Sequence, residues 1–304
     1  MKFTLENLPK IRGEYRFDYP LSKVTWFGVG GNADILFKPK DEEDLSFFLK
    51  HRPKDLPYIC FGVFSNVIIL DEGFRGVVIR LGREFAGIKK ISDNQIKVGA
   101  GALDANIARF SAENEIANLE FLVGIPGSLG GAIAMNGGAY GSELKDILVS
   151  ATAIDEDGNI IELKNENFSF KYRGNLIEEK LSKKLIYTSA ILQGEKSSKE
   201  KILEKMNFIS SSREATQPVR AKTGGSTFKN PKNSDKKAWQ LIDEAGCRGL
   251  KMGGAIVSEK HCNFLINQEN ATASDIINLG EEVRKRVFEK SGVMLEWEIK
   301  IFPN

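Results

Sequence analysis

Histidine, cysteine and long apolar runs are scarce in this chain of 304 residues. Its two histidines, His51 and His261, leave little from which to build a histidine metal centre or a Ser-His-Asp triad. The three cysteines, Cys60, Cys247 and Cys262, are odd in number and never stand in CxxC spacing. That argues against both a disulfide framework and a structural zinc site. The longest aliphatic run, Val67-Ile68-Ile69-Leu70, falls far short of a membrane span. The opening Met1-Lys2-Phe3-Thr4-Leu5-Glu6-Asn7 lacks the apolar centre of a secretory signal. A cytoplasmic protein without membrane insertion is the expectation. An excess of one charge is also missing. Lys and Arg number 43 against 41 Asp and Glu, a net charge of +2, so no polybasic footprint argues for nucleic acid. The GxxxxGK(S/T), HExxH and DxDxDG patterns do not occur, and there is no repeat or low-complexity tract.

Glycine is plentiful and concentrated. Seven of the eighteen residues of Gly124-Ile125-Pro126-Gly127-Ser128-Leu129-Gly130-Gly131-Ala132-Ile133-Ala134-Met135-Asn136-Gly137-Gly138-Ala139-Tyr140-Gly141 are glycine. Ordering such a segment costs backbone entropy and gains few side-chain contacts. A loop that presses bare N–H groups against a large anion gains from both properties, since glycine allows close approach and positive φ. We therefore read it as a backbone cradle for a phosphate-bearing cofactor. A plain surface loop would not need the interleaved Ile125, Leu129, Ile133 and Met135.

The rest of the pattern is strand mixed with helix. Ala33 to Lys38 predicts a strand, and Asp41 the N-cap of a helix that buries Leu45, Phe48 and Leu49 and stops before Pro53. Gln95 to Val98 predicts a strand, followed by a helix with Leu103, Ile107 and Phe110 inward. Val149–Ile154 and Ile160–Leu163 flank a hairpin turn at 155–159, and Leu185–Leu192 reads as another strand. Beyond Ser198 come a helix with Ile202, Met206 and Ile209, a second around 237–245 ending at Gly246, and strands 255–258 and 264–267. A last helix starts at the Thr272-x-x-Asp275 capping box and stops near Gly292. A closing strand spans 293–301. Irregular alternation of strands and helices favours α+β over a doubly wound sheet.

Several further motifs are ambiguous on their own. Gly28-x-Gly30-x-x-Ala33 matches a dinucleotide fingerprint in form, but a strand follows it where a helix is required, so the Rossmann reading is rejected. Gly62-Val63-Phe64-Ser65-Asn66 lies between two apolar runs and reads as an ordinary turn or a second phosphate cup. Phe170-Lys171-Tyr172-Arg173-Gly174-Asn175, Gly224-Gly225-Ser226-Thr227-Phe228-Lys229-Asn230-Pro231 and Leu295-Glu296-Trp297-Glu298-Ile299-Lys300 each also fit a plain role: a surface Arg, a loop Ser and a solvated strand face.

Taken together, these segments resemble the UDP-N-acetylenolpyruvoylglucosamine reductase family, flavoenzymes of peptidoglycan precursor synthesis. The matching residues run in order. They are Thr25-Trp26-Phe27-Gly28-Val29-Gly30-Gly31, Ser65-Asn66-Val67-Ile68, Gly73-Phe74-x-Gly76, the whole of 124–141, and Tyr172-Arg173. Gly225-Ser226-x-Phe228-Lys229-Asn230-Pro231, Gly253-Gly254-Ala255-x-Val257-Ser258-x-Lys260-His261-x-Asn263-Phe264 and Leu295-Glu296-x-Glu298 complete the series. The resemblance implies a vanillyl-alcohol-oxidase-type FAD-binding fold of two α+β subdomains, residues 1–82 and 83–205, and a C-terminal α+β domain for the UDP-sugar, 206–292. Segment 293–304 would return to the flavin domains. The 53-residue interval from Arg173 to Ser226 implies the subtype without an extra substrate loop. The family pattern has glycine where this chain has Phe64, so a ring would crowd the phosphate loop unless it turns outward.

The resemblance also implies NADPH as hydride donor, non-covalent FAD as carrier and a UDP-sugar as substrate; a monomer without a metal is the accompanying expectation. It assigns Ser226 as proton donor, Arg173 as the cation for the developing enolate and Glu298 as the carboxyl partner. Glu296, on the same predicted strand face, is the rival to Glu298. Cofactor contacts are expected at Gly62, Ser65, Asn66, Gly124, Ile125, Pro126, Gly127, Ser128, Gly130, Gly131, Ala132, Asn136, Gly137 and Gly138. Substrate contacts are expected at Tyr172, Lys229, Asn230, Lys260, His261 and Asn263. The alternatives are another FAD oxidase or dehydrogenase of this fold, and a binding protein with a degenerate flavin site.

Overall fold

The computed structural model of the protein describes residues 5–303. Positions 1–4 and 304, the outer ends of the first and last predicted segments, lie outside it. The chain divides into two compact units: Met1–Phe17, Asp34–Gly62 and Gly76–Ser211 form one, and Asp18–Ala33, Val63–Arg75 and Ser212–Asn304 the other. Each unit gathers segments far apart in sequence.

In the first unit, Asp41 caps α1 (Glu42–His51) by accepting from Asp44 N at 2.9 Å. The helix stops before Pro53, as its sequence predicts. Leu45, Phe48 and Leu49 bury one face against Ile35, Phe37, Val77 and Ile79. A second, five-stranded sheet runs in the order 160–164, 148–155, 185–193, 95–99, 88–90, antiparallel throughout. The 155–159 hairpin forms as predicted: Asp155 Oδ1 accepts from the backbone N of Asp157 and Asn159.

Two expectations in this unit change. The helix after 95–99, α2 (Asp104–Glu113), starts one residue later than its apolar stripe suggests. Leu103 is therefore its extended N-cap, 43% exposed, while Ile107 is fully buried. The centre of the glycine segment is not a loop but a short helix, α3 (Leu129–Met135). Leu129, Ala132 and Ile133 share one face and enter the core, and Asn136 ends the helix at φ +42°. The helices α4 (Ile177–Leu181) and α5 (Lys199–Thr216) follow; α5 buries the predicted Ile202, Met206 and Ile209.

In the second unit, α6 (Ala238–Glu244) and α7 (Ala273–Ser291) share a core with the antiparallel sheet 251–252, 255–257, 265–267. The capping box holds as predicted: Thr272 N donates to Asp275 Oδ2 and Asp275 N to Thr272 Oγ1, both at 3.0 Å. Gly292 closes α7 at φ +71°. The predicted 293–301 strand is shorter than expected. Regular pairing is confined to Lys300–Phe302, parallel to Val67–Ile69. Upstream, Trp297 forms only an isolated bridge to Phe228.

After Gly28 and Gly30 the chain enters the strand Asn32–Lys38, so the rejection of a Rossmann turn stands. Among the described residues no helix is long and apolar enough to cross a membrane.

Candidate active site

The cofactor candidates of the first unit cluster around backbone. A side chain on Gly62 would run into Ser128 Oγ, so the two predicted cofactor segments meet there. Gly130 N donates to Ala100 O at 2.8 Å, and Gly137 N to Ala132 O at 2.8 Å. A Cβ on Gly137 would approach Ala132 Cα to 3.2 Å, and one on Gly138 would lie 2.8 Å from Ser142 O. On Gly124 it would lie 3.1 Å from Ile209 Cγ2. These glycines are small because protein lies against them. Gly131 differs: it is exposed, and nothing lies within 4 Å of where its Cβ would stand. Internal packing does not ask for glycine there, whereas a ligand approaching the bare backbone would.

Ile125 and Pro126 are partly exposed beside these turns, and Ala132 points into the core. Asn136 is fully buried, and its amide is committed to structure. It donates to Glu143 Oε2 and Lys171 O, both at 3.2 Å, and accepts from Lys145 N at 3.1 Å. Its side chain thus ties the end of α3 to the turn that carries Arg173. In that turn Lys171 and Gly174 exchange backbone hydrogen bonds, and Arg173 sits at φ +57°, a conformation that favours glycine. The guanidinium carbon lies 5.0 Å from the centroid of the half-exposed Tyr172 ring.

Two side chains beside the glycine turns lack partners. Asp104 is fully buried with both carboxylate oxygens unpaired, and Ser128 is buried with Oγ unpaired. Burial pushes the Asp104 carboxyl well above the usual carboxylate range. Sequence reasoning missed Asp104, because an acid opening a helix reads as ordinary dipole chemistry.

The second unit joins its candidates through backbone contacts across long sequence gaps. Asn66 Nδ2 donates to Glu298 O at 3.2 Å, and Lys300 N donates to Asn66 O at 3.1 Å. Glu298 N donates to Thr227 O at 2.8 Å, and Lys229 N to Glu296 O at 2.9 Å. The partly exposed Ser65 and Ser226 adjoin residues of this set, and Gly225 turns the chain at φ +84° before Ser226. Lys229 Nζ pairs with Glu296 Oε2 at 3.3 Å. Alternation left Glu296 and Glu298 open as rivals. Here Glu296 is committed to Lys229 and is 75% exposed, whereas Glu298 is the one whose backbone Asn66 holds.

Three substrate candidates carry structural loads. Asn263 is buried and clamps the Phe228 backbone, accepting from its N at 2.9 Å and donating to its O at 2.8 Å. Asn230 accepts from Ala238 N at 3.1 Å and so fixes the start of α6. Lys260 reaches the carbonyl of Glu214. His261 packs edge-on to Phe264, 4.9 Å between centroids, and burial lowers its pKa, which keeps it neutral. Phe64 adopts φ +56° with its ring 2% exposed. It therefore takes the backbone conformation that explains glycine in the family pattern, and its ring is covered by protein rather than standing at the surface.

Comparison with known proteins places both halves of the chain. Residues 33–164 match the model of an FAD-binding domain, and residues 217–302 match the C-terminal domain of UDP-N-acetylenolpyruvoylglucosamine reductase. The chain is 53% identical over 293 residues to the UDP-N-acetylenolpyruvoylglucosamine reductase of Rickettsia canadensis, covering 96% of this chain and 97% of that protein. It is 54% identical over 296 residues to that of Parvibaculum lavamentivorans, covering 97% and 93%. The crystal structure of the reductase from Thermus caldophilus superposes with a TM-score of 0.81 at 33% identity, over 97% of this chain and all of that one. The α+β architecture, an FAD-binding fold followed by a C-terminal α+β domain, is thus shared along nearly the whole length. The chain belongs to the UDP-N-acetylenolpyruvoylglucosamine reductase family.

Proposed function

We propose that this protein reduces UDP-N-acetylglucosamine enolpyruvate to UDP-N-acetylmuramate with NADPH, a step of peptidoglycan precursor synthesis. The observation that carries the reading is the link through Glu298. Asn66, from the candidate phosphate loop, holds its carbonyl at 3.2 Å, and Thr227, next to Ser226, receives its N–H at 2.8 Å. Cofactor, carboxyl and proton-donor candidates are thereby built into one backbone framework of the second unit. The open face of Gly131 and the glycine turns around Ser128 fit a dinucleotide that lies against bare backbone.

The chemistry supplied by bound FAD is carriage of a hydride from NADPH to the terminal vinyl carbon of the substrate. Negative charge then develops next to the substrate carboxylate. Arg173 has the planar, permanently charged fork suited to stabilising it, and the positive φ of its turn fixes where that fork begins. The Glu298 carboxyl hydrogen-bonds the developing enolate. Ser226 Oγ delivers a proton to the α-carbon. A serine hydroxyl is a weak acid, so it needs a nearby cation, and Lys229 is the candidate. Glu296 holds that ammonium from the solvent side. Lys229 and Asn230 are the candidates for the UDP moiety. The working unit is a monomer in the cytoplasm.

An anaerobic visible spectrum tests this. NADPH should bleach the flavin band, and UDP-N-acetylglucosamine enolpyruvate should restore it. Bleaching without return would move the activity to another substrate of the same fold.

A further inference from the structure

Asp104 has no part in the chemistry above. It opens α2, and its backbone N donates to Gly127 O at 3.2 Å. Its carboxyl lies against Gly127 on the side from which a side chain would project: a Cβ there would stand 2.7 Å from Oδ2. The next residue, Ser128, repeats the arrangement with its unpaired hydroxyl against Gly62. Two polar groups therefore sit behind adjacent turns of the glycine segment with no partner on either. An enclosed, unpaired acid does not hold a charge. Removal from water is what raises its proton affinity. Among the described residues, burial alone accounts for that rise; on the turn packed against α2, the buried Glu120 pairs with Lys205 Nζ at 3.7 Å. Residues 99–103 and 121–142 contain no charged group, and the charges that follow on α2, Arg109 and Glu113, are exposed.

We propose that Asp104 is a positioning residue of the flavin cradle that works only as the neutral acid. Protonated, it lets the Gly127-Ser128 backbone close over it in the shape that receives the cofactor's pyrophosphate. Ionised, it pushes that backbone away and repels the same anion at short range and low dielectric. FAD affinity is then coupled to one proton, and it weakens as pH rises through the ionisation of this buried acid. This inference rests on the reading of 124–138 as the cofactor segment.

The test titrates the apoprotein with FAD, following flavin fluorescence, from pH 6.5 to about 10 at constant ionic strength. It uses wild type, Asp104→Asn and Asp104→Leu, over the range in which circular dichroism shows each folded. Wild-type affinity should fall by about tenfold per pH unit once the acid ionises. Both variants, which cannot ionise, should bind FAD with a flat pH profile, whatever affinity each retains at neutral pH. A purely structural role would not produce this difference in slope. Calorimetry of wild type in two buffers of unlike ionisation enthalpy gives a second readout that needs no variant: net proton uptake on FAD binding at the alkaline end. Superimposable wild-type and Asp104→Asn profiles, or zero proton uptake, would overturn the coupling while leaving the flavin assignment intact. Wild type that binds no FAD at any pH would overturn both.

Discussion

The glycine segment of the first unit and the Ser226–Glu298 framework of the second hold their candidate residues by opposite means. In the first, glycine lets the chain close on its neighbours: Gly130 and Gly137 lie against the backbone of Ala100 and Ala132, and Gly62 and Gly127 against the side chains of Ser128 and Asp104. The amide that might be taken for a ligand contact, Asn136, is spent on tying those turns together. In the second, side chains do the holding. Asn66 grips Glu298, Asn263 clamps Phe228, and Thr227 Oγ1 accepts from Leu265 N at 3.2 Å. A surface built from backbone suits a large polyanion that needs many weak donors. A framework built from side-chain clamps suits one acid and one hydroxyl whose positions must be fixed closely.

The comparison breaks most sharply at the chemistry. Ser226→Ala and Glu298→Gln should lower turnover by about 10²–10³-fold, the usual loss for a well-aimed group. Flavin reduction by NADPH should stay near wild type, because neither residue serves that half of the reaction. Stopped-flow absorbance with the two half-reactions separated checks this. A reduced Ser226→Ala enzyme reoxidised by the enolpyruvyl substrate at the wild-type rate would remove Ser226 as proton donor.

The clamp comes next. Asn263→Ala leaves the buried N–H and carbonyl of Phe228 without partners, at about 1–3 kcal/mol for each group left unpaired. Chemical denaturation should show a loss of about 2–6 kcal/mol for the two groups together, and turnover should fall with it because Ser226 sits two residues away. The sequence marked Asn263 only as a motif residue near the ligand. Its role depends on a contact 35 positions away that no local pattern encodes. The caps, the hairpin and the stripes of α1, α5 and α7 were legible because they are set by neighbours within a turn or two. The α3 helix was masked because glycine content outweighed the three-residue apolar stripe of Leu129, Ala132 and Ile133. The bond between Asn66 and Glu298 spans 232 positions and becomes visible only in the folded chain.

Two alanine substitutions sharpen the division between packing glycines and ligand-facing ones. Gly127→Ala places a methyl against the Asp104 carboxyl and should destabilise by about 1–3 kcal/mol. Gly131→Ala adds a methyl in open space within α3 and should stabilise the apoprotein by up to about 1 kcal/mol. If a ligand lies on that face, the same methyl should weaken FAD. Thermal melts of the apoprotein read with FAD titrations separate the two. Unchanged FAD affinity in Gly131→Ala would detach this glycine from the cofactor.

The smallest effect belongs to Glu296. Its ion pair with Lys229 is largely exposed, and such pairs contribute about 0–1 kcal/mol. Glu296→Gln should therefore leave the melting temperature nearly unchanged. What it removes is the carboxylate that tethers the Lys229 ammonium on the solvent side, so the test lies in the substrate half-reaction. If Lys229 polarises Ser226 or meets the UDP phosphates, freeing it should raise KM for the sugar nucleotide a few-fold and leave flavin reduction untouched. A turnover loss as deep as that of Glu298→Gln would reverse the ranking of the two glutamates and make Glu296 the residue that meets the enolate.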